Sequence, residues 1–111
     1  MSLTFIKESL KRLNENTFQF KLVNNVGSGS GGAGVRLLLD GRDVTERSTV
    51  KIGSQEAKPM KPYMYGSVAY GDEILFTIKL DTSIKPGLHK IQLVCDIGGG
   101  ESFSAEFEGT V

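Results

Sequence analysis

A second cysteine is missing. Cys95 is the sole thiol among 111 residues, so no internal disulfide can form and stability must come from a packed core. Histidine is just as scarce, with His89 alone. A structural zinc site takes four Cys or His ligands, which this chain cannot supply, and no metal or cofactor is expected. Ser-His-Asp or Cys-His catalysis would have to run through His89. Net charge is also absent: thirteen Lys+Arg face thirteen Asp+Glu. Binding to nucleic acid without sequence preference needs a basic surplus, so no nucleic-acid partner is expected. No apolar run approaches the roughly 20 residues of a membrane span, and no membrane association is expected. The N-terminus turns polar at Lys7 and Glu8, unlike a secretory signal, which makes the cytoplasm the expected compartment. The length suits one domain, residues 1–111, burying about two-thirds of its unfolded surface.

What the chain has in abundance is period two. Phe18, Phe20 and Leu22 alternate with Gln19 and Lys21, and Val35, Leu37 and Leu39 follow. Ile74, Phe76, Ile78 and Leu80 form a third set, Ile91, Leu93, Cys95 and Ile97 a fourth, and Phe103, Ala105 and Phe107 a fifth. Val50 and Ile52 read as a shorter strand of the same kind. One apolar face at every second residue is the mark of a half-buried strand. Turn residues punctuate these runs: Asp40-Gly41, Lys85-Pro86-Gly87 and Gly98-Gly99-Gly100. Strand signals spaced by about 8–12 residues predict an all-β fold. The expected architecture is an immunoglobulin-like β-sandwich of seven to eight mostly antiparallel strands. Its core should hold Phe18, Phe20, Leu22, Val35, Leu37, Leu39, Ile74, Phe76, Ile78, Leu80, Ile91, Leu93, Phe103 and Phe107.

Three segments are less regular. Residues 3–13 read as a first strand broken near Ser9, or as one helical face through Phe5, Ile6, Leu10 and Leu13. Residues 27–34 (GSGSGGAG) hold five of the fourteen glycines and predict a flexible inter-strand loop. The G-x-G-x-x-G spacing of Gly27, Gly29 and Gly32 would suit a phosphate only before a helix, and no Walker lysine follows. Residues 54–67, with Pro59, Pro62 and Gly66, predict a long connection of the kind that often carries function.

That connection contains Met60, Tyr63, Met64 and Tyr65 between Lys58 and Gly66. Met and Tyr are enriched in interface cores, so these four are the candidate binding residues. The segment can plug one end of the sandwich, form a protein interface, or stack a sugar ring on Tyr63 or Tyr65. His89 reads as a structural residue with one ring nitrogen on a backbone carbonyl. The carboxylates Asp40, Asp43, Asp72, Glu73 and Asp81 sit at turns, where Asp bonds its own backbone, and they lack the spacing of a calcium loop. No catalytic residue is assigned.

Four landmarks in order carry a resemblance. They are Ser9-Leu10-Lys11, Phe18-x-Phe20-Lys21, Leu39-Asp40-Gly41-x-Asp43-Val44 and Pro86-Gly87-Leu88-His89-Lys90-Ile91. Spread over residues 9–97, they resemble the small β subunits of the C-glycoside deglycosidases. Residues 27–34 depart from that pattern, which has an aromatic, proline-bearing segment there. The resemblance implies a β-sandwich accessory subunit beside a TIM-barrel enzyme, with metal and catalytic base in the partner. The expected function is therefore a non-catalytic accessory or interaction module with a protein partner or in a homo-oligomer. The alternatives are a small carbohydrate-binding module using the Tyr-bearing segment, and a small hydrolase or isomerase centred on His89.

Overall fold

The computed structural model describes residues 4–6, 9–98 and 101–111. Its strands are β1 (Thr4–Phe5), β2 (Lys11–Asn14), β3 (Thr17–Val23), β4 (Gly29–Leu39), β5 (Arg42–Asp43), β6 (Ser48–Ile52), β7 (Lys58–Pro59), β8 (Tyr63–Val68), β9 (Glu73–Lys79), β10 (Leu88–Gly98) and β11 (Glu101–Thr110). Three have only two residues, which leaves eight longer ones. One sheet runs β1-β3-β9-β6-β7, with β2 also on β3. The other runs β11-β10-β4-β5, with β8 also on β4. All the pairings are antiparallel.

The two sheets face each other across one apolar layer, and the fold is an all-β sandwich. Phe18, Phe20 and Leu22 of β3, Val50 of β6 and Ile74, Phe76 and Ile78 of β9 supply one side. Leu37 and Leu39 of β4, Ile91 and Leu93 of β10 and Ala105 of β11 supply the other. Aromatic rings join the sheets. Phe107 meets Phe20 edge-on at 5.2 Å and stacks on Phe5 at 3.7 Å. Period two explains the whole layer, because a strand sends alternate side chains to one face. Val35, Phe103 and Phe107 of the expected core are half-buried instead. Val44, Val50, Met60, Ile84 and Ala105 are buried beyond the expected set. Val44, Met60 and Ile84 lie between strands, where periodicity says nothing, whereas Val50 and Ala105 belong to period-two runs.

The connections follow their turn chemistry. Leu39 pairs with Arg42, so Asp40-Gly41 is a two-residue hairpin loop. Both residues have positive φ, 51° and 83°, which is the type I′ geometry that matches strand twist. The broken first strand is present as β1 and β2, with the Ser9 amide on the Ile6 carbonyl between them. β10 and β11 form a hairpin, while Gly99 and Gly100 lie outside the described residues.

Two expectations are corrected. Residues 27–34 are not a flexible loop: from Gly29 onward they are the first half of β4, paired with β8 from Gly29↔Val68 to Gly34↔Tyr63. Residues 54–67 are not one long connection, because β7 and most of β8 lie within them. Glycine in 27–34 and proline in 54–67 both read as strand breakers, but a paired neighbour supplies ladder hydrogen bonds that local propensity does not reveal.

Candidate functional site

The candidate site is the β4–β8 ribbon and the space behind it. Inward positions of β4 run Leu39, Leu37, Val35, Ala33, Gly31 and Gly29. The side chain shrinks to nothing toward one end of the sandwich. β8 alternates in register with this series. Met64 pairs with Ala33 and Val68 with Gly29, and both Met64 and Val68 pack against the core. Tyr63, opposite Gly34, and Tyr65, opposite Gly32, take the outer face. They are 56% and 74% exposed, whereas Met60, just beyond β7, is 2% exposed. The four candidate residues are therefore split between the two faces of one ribbon and the core beside it.

The outer face is built on glycine. The Tyr63 ring lies over Gly32, where an added Cβ would come within 2.5 Å of the tyrosine hydroxyl. Tyr63 and Tyr65 meet edge to face at 5.2 Å, the geometry the ring quadrupoles favour. Among the described residues no strand pairs with the far edge of β8. Side chains occupy that edge: Lys58 Nζ donates to the Tyr65 carbonyl at 2.8 Å and Gln55 Nε2 to the Ser67 carbonyl at 2.9 Å. Capping an edge in this way guards against strand addition by another chain.

The inner face encloses a cleft of about 530 Å³ between the sheets. Val50, Ile52 and Phe76 wall it from one sheet, and Val35, Met64 and Phe103 from the other. Lys58 is the one charged side chain on its described lining. The cleft is partly open to solvent, so water can occupy it when no ligand does.

Cys95 also lines the cleft. It is half-buried, and desolvation pushes its thiol pKa up to about 11. A thiol in this setting is protonated at neutral pH and a poor nucleophile.

His89 lies away from the cleft, beside the Asp40-Gly41 turn. Its Nδ1 meets Asp40 Oδ2 at 2.6 Å and its Nε2 meets the Lys85 carbonyl at 2.6 Å. Two acceptors suit a doubly protonated ring. The Lys85 carbonyl, then the Asp40 carboxylate, raise its pKa above the ordinary value. Partial burial pushes Asp40 upward, but the Lys90 amide and His89 outweigh it, and its pKa is lowered. With both nitrogens engaged in the fold, His89 has none to offer a substrate. The other turn carboxylates are similarly occupied. Asp43 accepts from the Thr45 amide and hydroxyl, Asp72 from the Ala69 amide, Glu73 pairs with Lys21, and Asp81 pairs with Arg47.

Sequence reasoning saw Lys58 only as local charge beside the Met/Tyr segment, and missed the small inward positions Gly29, Gly31 and Ala33. The signal was available: these three continue the period-two series of Val35, Leu37 and Leu39.

No family model matches the sequence, and no curated protein matches it significantly. Solved structures similar in fold include a conjugative transposon lipoprotein from Bacteroides eggerthii. It is 12% identical, with 97% of this chain and 94% of that one covered and a TM-score of 0.48. The archaellum periplasmic stator protein FlaG from Sulfolobus acidocaldarius is 18% identical, over 95% and 99% of the two chains, with a TM-score of 0.43. A family 123 glycoside hydrolase from Clostridium perfringens is 10% identical, over 99% of this chain and 27% of that one, with a TM-score of 0.45. No activity or partner is taken from these likenesses, and the sandwich assignment rests on the sheets themselves.

Proposed function

We propose that the chain is a non-catalytic interaction module that binds a protein partner through the outer face of β8. The observation that carries this reading is the exposed Tyr63–Tyr65 pair, held edge to face on a glycine floor. Such rings offer large contact area at low cost in side-chain entropy. Their setting on a paired strand fixes them before any encounter. The resemblance to the small subunits of C-glycoside deglycosidases supports as that partner a TIM-barrel carbohydrate-active enzyme that carries the chemistry. The landmarks Asp40, Asp43 and His89 support a scaffold role, since their side chains are spent on turn and strand hydrogen bonds.

The test is a Tyr63→Ser/Tyr65→Ser double variant. Sedimentation of the chain alone, and titration against a TIM-barrel enzyme encoded beside it, should show association that weakens at least about tenfold, as expected for central aromatic anchors. β-sheet dichroism should stay unchanged. A chain that stays monomeric, ignores the enzyme and gains melting temperature with a sugar, an effect lost in the double variant, would overturn this reading in favour of carbohydrate binding.

A further inference from the structure

We propose that the inter-sheet cleft is a binding site for a free long-chain carboxylate, with its chain between the sheets and its head group at Lys58. The volume, about 530 Å³, falls in the roughly 300–1,000 Å³ range of sites that enclose small ligands. Among the described residues no buried side-chain nitrogen or oxygen lacks a hydrogen-bond partner. The interior therefore asks nothing polar of its occupant, and apolar walls such as Val50, Phe76 and Phe103 favour a hydrocarbon chain.

Lys58 decides the head group. It is the one charge on the described lining, and its ammonium lies over Gly66, 3.0 Å from where a Cβ would stand. One of its three N–H groups is spent on the Tyr65 carbonyl, which leaves two for a carboxylate. A peptide occupant is disfavoured by the same contacts. A peptide would dock by adding a strand to β8, but Lys58 and Gln55 already occupy the Tyr65 and Ser67 carbonyls on that edge. This site faces inward; it meets the outer face only at Tyr65, which borders the cleft and holds Lys58 through its carbonyl, while Tyr63 lies outside it.

Calorimetric titration with octanoate, decanoate and dodecanoate, each below its micellar concentration, should show one site per chain. Affinity should rise about fourfold per added methylene until the cleft is full. Decyltrimethylammonium should bind about tenfold more weakly than decanoate or worse, and Lys58→Met should shrink that gap to a few-fold. Ala33→Leu should abolish binding of all three carboxylates by filling the cleft. Gly29→Val is the second filling variant: Gly29 has no positive φ, and its Cβ would meet open space. Both should raise the melting temperature. Decanoate should also slow labelling of Cys95 by an uncharged thiol reagent. Tyr63→Ser should leave decanoate affinity within about twofold, because its ring takes the outer face of β8 and does not border the cleft. The absence of saturable binding by any of the three carboxylates would overturn the proposal. So would equal binding of the cation, or binding that survives both filling variants. None of these outcomes bears on the outer-face reading.

Discussion

Phe20→Ala is the sharpest test of the sandwich. Phe20 is fully buried at the centre of β3. Its ring stacks with Phe76 at 5.1 Å and meets Phe107 of the opposite sheet at 5.2 Å. Truncating a buried Phe costs about 3–5 kcal/mol in lost transfer energy and residual cavity. Two aromatic pairs are lost as well, each worth about 0.5–1.5 kcal/mol beyond area. Some of that is already counted in the first range, so about 4–5 kcal/mol is expected. Unfolding entropy near 2.1 cal/mol/K per residue gives about 0.23 kcal/mol/K for this length, so the melting temperature should fall by about 20 °C. Urea unfolding followed by far-ultraviolet dichroism reads the loss directly, with the slope against urea unchanged. Phe107→Ala, at a half-buried position, should cost about half as much. A Phe20→Ala loss below about 1.5 kcal/mol would refute the facing of β3 toward β11.

The Asp40–His89 pair sets a pH window. Because the folded pKa of His89 is raised above 6.5, its contribution is complete below that pH and is lost as pH climbs through the folded value. The folded pKa of Asp40 is lowered from 3.8, so its contribution is complete above that pH and lost as pH falls through the folded value. Stability from the pair should therefore be greatest between these limits, and His89→Gln should flatten the upper slope in pH-dependent melting. Cys95, with its pKa near 11, should react slowly with iodoacetamide at pH 8 when folded and at least about tenfold faster in denaturant. Gly41→Val places a β-branched residue at φ 83° and should destabilise the hairpin by about 1–2 kcal/mol in the same urea assay.

Periodicity made the sheets legible because burial of one face is a repeating constraint. Phe18-Phe20-Leu22 and Ile74-Phe76-Ile78 pair across β3 and β9 in the register that keeps both sets inward. Turn chemistry was legible for a similar reason: Asp40-Gly41 takes two positive φ angles that few other residue pairs accept. The first half of β4 was not legible. Composition alone makes Gly29–Gly34 a linker, and only β8, about thirty residues on, turns it into a strand. The site was hidden by the same circumstance. Met60, Tyr63, Met64 and Tyr65 were visible as a group, but their division into core, outer face and cleft depends on that long-range register.

Removing side chains from β4 has a separate consequence on each face. On the outer face, the missing Cβ at Gly32 admits the Tyr63 ring. On the inner face, the missing side chains at Gly29 and Gly31 open the cleft. A more ordinary strand, with Val or Ile at every position, would fill the cleft and lift Tyr63 off the sheet. The low strand propensity of glycine is the local cost, about 1 kcal/mol per residue at most. The pairing with β8 offsets it through ladder hydrogen bonds and through Met64 and Val68 on the core. Local propensity and global fold disagree in this one ribbon, and such disagreement is expected where a sequence serves binding over stability. Substitution at Gly32 should therefore disturb the tyrosine face and spare the cleft, while filling at Gly29 should do the reverse.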